Sequence, residues 1–246
     1  MRAHALDIIG VRKNFGKYTA LNEISFSVES GEYFALVGIN GAGKTTLLKC
    51  LLDFCETDAG AINIFGTSHR VTAARKRLSF LPERFIPPFY LTGRDFLHYM
   101  LRLQGIAYDP NQVEGMLSAL DLDLAALRLP VRAYSKGMTQ KLGLAACFLA
   151  SKELYVLDEP TSGLDPKARA RLKTKFNELR DKGRTLFLTS HTLADVEEIC
   201  DRMAVIHDGR VLFVGTPQQL CRAHAAPTLE RAFLSCIGEP GAMAGT

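Results

Sequence analysis

The chain has 246 residues, of which 47% are hydrophobic and 23% charged, the composition of an ordinary globular protein. This composition excludes collagen-like, mucin-like and intrinsically disordered classes, because it supplies ample apolar material for a buried core. The net charge of +4 is too mild to indicate nucleic-acid binding, which uses strongly clustered basic residues.

No segment predicts a membrane span or a secretory signal. The longest charge-free apolar stretch near the middle, Leu142 to Ala150, has nine residues, whereas a span needs ~20. Asp7 and Arg12 interrupt the N-terminal apolar region, so it does not read as a signal peptide. We therefore expect another chain to supply any membrane-spanning part. The six cysteines form no CxxC pair and none has a histidine at zinc spacing, which predicts reduced, mostly buried thiols.

The first quarter of the chain predicts strands around one helix. Asn22–Glu29 alternates and predicts a strand with one exposed face, while the apolar run Tyr33–Val37 predicts a strand buried on both faces. A helix is expected from Thr45 to about Phe54, and a strand at Ala61–Phe65. The basic segment Arg70–Arg77 favours a solvated helix face over a nucleic-acid patch.

The segment from about Arg84 to Leu129 changes character and predicts an inserted helical subdomain. Thr92-x-x-Asp95 is typical of a capping box that opens a helix. Together with the helix that ends near Ala150, the insert covers about 84–150, too small for a self-sufficient core. The apolar residues expected on its first two helices are Phe96, Met100 and Leu103, then Val113, Met116, Leu117 and Leu120.

From Gly137 onward, helices and buried strands alternate, which indicates an α/β fold with a mainly parallel core sheet. Asp208-Gly209 is a strong hairpin signal. The predicted elements are a helix from Gly137 to Ala150, a strand at Leu154–Leu157, a helix at Pro166–Asp181, a strand at Thr185–Thr189, and hairpin strands at Met203–His207 and Val211–Val214.

The strongest chemical signal fits the pattern G-x(4)-G-K-[ST] at every position and lies between a buried strand and a helix. Glycines allow successive backbone N–H groups to surround phosphate oxygens. The pattern predicts that Lys44 reaches the β- and γ-phosphates of a nucleoside triphosphate and that the Thr45 hydroxyl binds Mg²⁺. The predicted binding residues are Gly38, Ile39, Asn40, Gly41, Ala42, Gly43, Lys44, Thr45 and Thr46.

Two adjacent carboxylates end the apolar strand Leu154–Leu157. Successive side chains of a strand point in different directions, so Asp158 and Glu159 can take different roles. We expect Asp158 to hold Mg²⁺ and Glu159 to deprotonate the attacking water, a general-base contribution of ~10²–10⁴-fold.

Three further features accompany these two motifs: Ser135-x-Gly137 at the start of a predicted helix, Ser162-Gly-Leu-Asp165, and a lone His191. The order of the five motifs, from about Leu6 to Gly215, resembles the ATP-binding cassette (ABC) ATPases. The resemblance implies that Tyr134–Gln140 is the family signature, whose Ser135 and Gly137 contact ATP bound to a second copy. It implies that Ser162–Asp165 is the D-loop, and that His191 is the switch histidine beside the γ-phosphate. It further implies that Phe15 stacks on adenine, although Tyr18 is near enough to compete.

Two positions depart from the common family pattern. Glu83 stands where the Q-loop usually has glutamine, and its carboxylate could still bind Mg²⁺. The signature reads Tyr-Ser-Lys136-Gly-Met138, where Leu-Ser-Gly-Gly-Gln is commoner. Both departures, and a short helix expected at Thr228–Leu234, are similar to cassettes that serve type-2 exporters.

The resemblance implies an ATPase domain at residues 1–216, with an N-terminal antiparallel β-subdomain and the helical insert, followed by a helical extension and tail at 217–246. It implies ATP and Mg²⁺ as cofactors, a head-to-tail dimer, membrane permease subunits and the cytoplasmic face of the inner membrane. It also implies that such partners dock in the groove near Glu83 and the loop Arg84–Tyr90, whose apolar residues suit either that contact or burial. Nucleic acid is not expected as a partner.

Other functions remain open at this point. A soluble cassette acting on nucleic acid or ribosomes is disfavoured, because the chain has one cassette and no heptads between Lys44 and Ser135. A slow-turnover nucleotide switch is motivated by Glu83 and Lys136. A GTPase is disfavoured because no Asn-Lys-x-Asp sequence occurs, and a small-molecule kinase because it leaves the signature and His191 unexplained. Export is favoured over import because only a short tail follows Gly215.

Overall fold

The computed structural model of the chain describes residues 3–238. These residues divide into two compact units, one formed by the segments up to Arg77 and from Thr185, and one formed by Leu78–Arg184. The strands are β1 (His4–Phe15), β2 (Tyr18–Glu29), β3 (Tyr33–Val37), β4 (Ala59–Ile64), β5 (Thr67–Ser68), β6 (Leu78–Leu81), β7 (Leu154–Asp158), β8 (Thr185–Ser190), β9 (Arg202–His207) and β10 (Arg210–Gly215). The helices are α1 (Lys44–Leu51), α2 (Thr72–Arg75), α3 (Gly93–Leu103), α4 (Pro110–Ala119), α5 (Lys136–Leu149), α6 (Pro166–Asp181), α7 (Leu193–Ile199), α8 (Pro217–Ala223) and α9 (Leu229–Cys236).

The first unit contains the predicted antiparallel sheet, in the strand order β2-β1-β4-β5. Strand β2 buries Ile24, Phe26 and Val28 and exposes or half-exposes the residues between them, as its alternation predicts. Strand β1 was not predicted from the sequence. Its register with β2 shifts between Ile8 and Val11. That irregularity explains why its sequence lacks a clean alternation.

A second group of strands in this unit has the order β10-β9-β3-β8, in which β3 pairs in parallel with both β8 and β9. All residues of β3 and β8 are buried, as expected for strands covered on both faces. Phe26 stacks on Phe34 with ring centroids 5.2 Å apart, and Phe187 lies 6.0 Å from Phe26. These three rings form an aromatic core that joins the antiparallel sheet to the parallel one.

The predicted hairpin is confirmed, since β9 and β10 pair antiparallel around Asp208-Gly209. Both turn residues have positive φ, +46° at Asp208 and +68° at Gly209. This is the conformation of a type I′ turn, for which Asp-Gly is a preferred sequence.

The second unit contains the parallel pair β6–β7 and the helices α3 to α6. The capping box at Thr92 and Asp95 is present at the start of α3. Helix α6 has the predicted bounds and buries Leu172, Phe176 and Leu179 on one stripe. Phe148 of α5 packs edge-on against Phe176, with ring centroids 6.2 Å apart.

Several predicted details are wrong. Helix α1 ends at Leu51 rather than near Phe54, and α2 covers only Thr72–Arg75 of the basic segment. On α3, Leu103 is 63% exposed, because the buried side of that helix carries Phe96, Leu97 and Leu101. Helix α7, which follows β8, and strand β6 were not predicted from the sequence.

The loop Arg84–Tyr90 is partly buried and partly exposed, so neither alternative for it holds throughout. Pro87 is buried and Phe85 packs edge-on against Phe96 at 5.6 Å, whereas Phe89 and Tyr90 are 65% and 69% exposed. The C-terminal helix is present as α9, and the part of the predicted tail beyond Gly238 lies outside the described residues.

All six cysteines lie in the described part of the chain as free thiols, and three of them are buried and three half-buried, fewer buried than predicted. Among residues 3–238, none of the helices combines the length and the apolar character that a membrane crossing requires.

Candidate functional site

The predicted phosphate loop lies between β3 and α1, and its glycines are required by the backbone. Gly41 and Gly43 have φ values of +83° and +112°, which side chains rarely adopt. A Cβ on Gly43 would lie 2.8 Å from the Ala20 carbonyl oxygen, and one on Gly38 would lie 2.4 Å from the Ile206 carbonyl oxygen. The loop therefore has a shape that only this glycine pattern allows.

Backbone hydrogen bonds of the β9–β10 turn stabilise the phosphate loop. The Gly209 N–H donates to the Ala42 carbonyl at 3.0 Å, and the Gly209 carbonyl accepts from the Asn22 N–H at 2.7 Å. The outer residues Ile39, Asn40 and Gly41 are exposed. Hydrogen bonds thus hold one side of the loop, while its outer residues are exposed to solvent.

Lys44 occupies the first turn of α1 and is buried, with 9% of its surface exposed. Its Nζ donates to the Gly38 carbonyl at 2.5 Å and to the Ile39 carbonyl at 3.1 Å. The ammonium is therefore held inside the loop rather than extended into solvent. Thr45, the next residue, is exposed at the helix N-terminus, where an anion is favoured by the helix dipole.

The candidate adenine-stacking residues face each other at the end of the β1–β2 hairpin. Phe15 pairs with Tyr18 in register, and the two are 52% and 60% exposed. Both rings are therefore accessible for stacking. The Nζ of Lys13 lies 5.4 Å from the centroid of the Phe15 ring, which adds positive charge there.

Asp58 anchors the strand segment that leads to Phe15. Its carboxylate accepts from Lys13 Nζ at 3.0 Å and from the Asn14 N–H at 2.6 Å. The hydrogen bond from Lys13, followed by the one from the Asn14 backbone, lowers the pKa of Asp58 below its ordinary value of 3.8. Sequence reasoning missed this anchor, because the contact joins positions far apart in the chain.

His191 follows β8 and is exposed. Because β3 and β8 are parallel neighbours and Val37 pairs with Ser190, the residues Gly38 and His191 leave the sheet at the same edge. Ligands of open α/β sheets bind at the carboxyl ends of the strands. The first unit thus brings the phosphate loop and the predicted switch histidine to one edge.

In the second unit, Asp158 is the last residue of β7 and Glu159 follows it; they are only 5% and 6% exposed. Glu159 has a φ of +50°, an uncommon conformation for a residue with a side chain. Its carbonyl accepts from the Ser162 N–H at 3.0 Å, which closes a tight turn. This conformation changes the direction of the chain directly after Asp158.

Glu83 and Asp158 come from neighbouring parallel strands. Leu81 pairs with Leu157 in the β6–β7 register, so both acidic residues follow the carboxyl ends of their strands. Glu83 is exposed, unlike Asp158. Asp165, the predicted D-loop residue, caps α6 by accepting from the Ala168 N–H at 2.8 Å.

The predicted signature opens α5. Ser135 is the N-cap residue, and its Oγ accepts from the Met138 N–H at 3.2 Å. A Cβ on Gly137 would lie 3.0 Å from the Gly163 carbonyl oxygen, so this glycine allows α5 to approach the loop after β7 closely. Tyr134 donates from its Oη to the Ala126 carbonyl at 2.6 Å, and burial raises the pKa of its hydroxyl to about 12.

Two contacts between α5 and the segment after β7 had not been predicted. Lys136 Nζ donates to Ser162 Oγ at 3.3 Å, and the buried Gln140 donates from Nε2 to the Pro160 carbonyl at 3.1 Å. Both residues lie in the motif that the sequence reading singled out, but no local pattern reveals their partners.

Comparison with known proteins decides the family. The family model described as "ABC transporter" matches residues 21–162, more than half of the chain. The chain belongs to the ABC transporter family. The resemblance inferred from its motifs is therefore confirmed. Its ATP-binding members are ATPases coupled to transport, so the chain is a nucleotide-binding ABC ATPase cassette.

Named relatives agree with this assignment. An uncharacterized ABC transporter ATP-binding protein of Synechocystis is 38% identical over 81% of this chain. A Nod factor export ATP-binding protein I of Rhizobium sp. strain N33 is 36% identical over 89% of it. The chain spans 57% of the length of the first relative and 73% of the second.

Solved structures confirm the predicted fold class. The structure titled as the ATP binding subunit of an ABC transporter matches with a TM-score of 0.84 and 29% identity, covering 94% of this chain and 99% of that one. A bacterial Atm1-family ABC exporter with ATP bound matches with a TM-score of 0.82 over 95% of this chain and 42% of that one. At 21% identity the second likeness shows the fold alone.

Proposed function

We propose that this cassette binds Mg²⁺-ATP, pairs head to tail with a second copy around two nucleotides, and hydrolyses them to drive export through separate membrane subunits. The single observation that supports this most is the phosphate loop. Its glycine conformations and the buried Lys44 suit a loop that holds a polyphosphate.

The residues present fit ATP and Mg²⁺. Lys44 exchanges its two loop carbonyls for β- and γ-phosphate oxygens, and the exposed N-terminus of α1 receives the remaining charge. The Thr45 hydroxyl and the Asp158 carboxylate are hard oxygen ligands, which Mg²⁺ prefers, with Glu83 as a further carboxylate. When bound, the ion neutralises charge on the phosphates.

Glu159 is the proposed general base. Its near-complete burial and fixed backbone turn hold the carboxylate in one place, where it takes a proton from the attacking water. His191 then donates to the γ-phosphate and keeps that water in line. These roles for Glu159 and His191 follow the family resemblance and the strand-end positions of the two residues.

The second copy completes each site in this proposal. Ser135 and the Gly137 amide lie at the N-terminus of α5, where backbone N–H groups and the helix dipole favour an anion, here the γ-phosphate held by the partner. Asp165 lies at the start of α6 and couples the two sites. Phe15, or Tyr18 across the hairpin from it, stacks on the adenine.

Membrane subunits are the proposed recipients of the mechanical work. The exposed apolar side chains of Ile86, Phe89 and Tyr90 offer them a contact surface on the helical subdomain. The proposal places the cassette on the cytoplasmic face of the inner membrane. Export is favoured because the relatives named Nod factor export ATP-binding protein I match nearly nine-tenths of this chain.

A slow-turnover nucleotide switch is a second candidate, favoured by one observation. Glu83 is an exposed carboxylate at the position where the common family pattern has a neutral amide, and it adds negative charge beside the expected Mg²⁺ and water. Such a switch would bind ATP and pair, yet release phosphate at a negligible rate.

Steady-state phosphate release by the purified chain separates the two. The export ATPase predicts turnover that falls at least a hundred-fold in Glu159→Gln, consistent with loss of a general base. Glu114→Gln, an exposed carboxylate on α4, is the matched control and should leave turnover unchanged. Equal rates for wild type and Glu159→Gln would contradict the proposed role of Glu159, and negligible wild-type turnover with its copurified membrane partner would favour the switch.

A further inference from the structure

Lys136, the first residue of α5, contacts the loop after β7 in two ways. Its Nζ donates to Ser162 Oγ at 3.3 Å. Its stem covers Gly163, where an added Cβ would lie 3.0–3.1 Å from Lys136 Cγ, Cδ and Cε. Gly163 also has a φ of +76°, so a side chain there would be strained, and the lysine stem would have to shift by a few tenths of an ångström. The two motifs are therefore shaped to each other.

The loop that Lys136 contacts also carries Glu159. The Ser162 N–H donates to the Glu159 carbonyl at 3.0 Å, so the residue bonded to Lys136 closes the turn of the proposed general base. Glu159 is held at a φ of +50°, a conformation that persists only where the surroundings determine it. Gln140 secures the same segment one helical turn further along α5, through the Pro160 carbonyl.

We propose that Lys136 is a positioning residue for ATP hydrolysis, holding Ser162 and thereby the Glu159 turn in fixed relation to the signature at the start of α5. The proposal rests on the proposed function, since it takes Glu159 as the base and Ser135 as a nucleotide contact. Glycine, the commoner residue here, has no side chain that could make this bond. In this chain the side chain of Lys136 thus connects the signature to the loop that carries Glu159 of the same copy.

An alternative role for the ammonium is direct contact with a phosphate, and the kinetics of variants distinguish the two. Lys136→Met keeps a flexible stem of similar length over Gly163 and removes the charged donor. Ser162→Ala removes the acceptor. If Lys136 acts through Ser162, each variant lowers kcat about five-fold, as expected for losing one exposed charge-assisted hydrogen bond. The KM for ATP then stays within about two-fold, since nucleotide contacts are intact.

The double variant and two controls complete the experiment. Lys136→Met with Ser162→Ala should fall no further than either single variant, because both remove the same bond. Lys136→Arg retains donors and stem and should recover most of the wild-type kcat. Lys182→Met, an exposed lysine at the end of α6, controls for the change in net charge and should leave kcat unchanged.

If the wild-type chain hydrolyses ATP, three results would contradict the role of Lys136 without contradicting the proposed hydrolysis. These are a Lys136→Met variant with a raised KM and unchanged kcat, losses that multiply in the double variant, and a lowered kcat that Lys136→Arg does not recover. A wild-type chain that releases no phosphate in the presence of its membrane partner would overturn the proposed hydrolysis and this inference together. The unfolding temperature of each variant, expected to match that of wild type, shows that the fold is intact.

Discussion

Replacement of Gly93 by alanine tests the packing of the signature against the helical subdomain. Gly93 is the first residue of α3, and a Cβ there would lie 2.1 Å from Tyr134 Oη. Normal van der Waals separation is about 3.5 Å, so the hydroxyl must withdraw by more than ~1 Å. That movement breaks its 2.6 Å hydrogen bond to the Ala126 carbonyl. The residue next to the withdrawn ring is Ser135, the proposed nucleotide contact.

The expected cost follows from three contributions. Overpacking costs about 1–3 kcal/mol, and the lost hydrogen bond costs about 1 kcal/mol. Alanine offsets about 0.5–1 kcal/mol of this destabilisation, because it is a better helix former than glycine and lowers the entropy of the unfolded chain. Gly93→Ala should therefore destabilise the protein by about 2 kcal/mol. Tyr134→Phe alone should cost about 1 kcal/mol, since the Ala126 carbonyl also accepts from the Leu129 N–H at 3.0 Å.

The decisive comparison is Gly93→Ala in the Tyr134→Phe background. Without the hydroxyl, the nearest atoms to the new Cβ are Tyr134 Cζ at 3.2 Å and the Ala126 carbonyl oxygen at 3.3 Å, contacts that small shifts relieve. We expect the alanine to be nearly neutral there, so the two substitutions depart from additivity by about 2 kcal/mol. Free energies of unfolding from urea titration measure this. An alanine that costs the same in both backgrounds would refute the reasoning.

Two further predictions concern the first unit. Mg²⁺-ATP at about a hundred times its Kd should raise the free energy of unfolding of wild type by ~2.7 kcal/mol, or its Tm by about 5–10 °C. Lys44→Met should show no such rise in Tm, and a rise retained in that variant would contradict the role of Lys44. For Asp58, the lowered pKa means that its carboxylate stabilises the fold fully above its ordinary value of 3.8 and loses this as pH falls through the folded-state pKa. Asp58→Asn should thus be less stable than wild type near neutral pH and match it in acid, by urea unfolding; a pH-independent gap would contradict this.

Elements whose signals are local in sequence were predicted well. Helix α6 has Asp165 and Pro166 at its start and Gly183 beyond its end, and its predicted bounds are those observed. The β9–β10 hairpin was predicted because Asp208-Gly209 suits the type I′ turn, one of the turns that join such strands. The phosphate-loop motif is also a local signal, and the structure has it between β3 and α1 with positive φ at Gly41 and Gly43.

Features that depend on distant residues were not predicted. Strand β1 contains register shifts and charged residues, so its alternation is broken where β2 and β4 pair with it. The apolar stripe of α3 was misplaced, because the solvent-facing position of Leu103 depends on what packs against the helix. The bond between Lys136 and Ser162 joins positions 26 residues apart, and the sequence carries no pattern that pairs them.

In the proposed function, two copies of the cassette close around ATP. Light scattering of Glu159→Gln measures this most directly, because the variant retains the phosphate loop and the signature but is expected to hydrolyse ATP too slowly to reopen. With Mg²⁺-ATP the account predicts twice the chain mass of 27.1 kDa, and without nucleotide the single mass. A particle that keeps the single mass at saturating Mg²⁺-ATP would contradict the account.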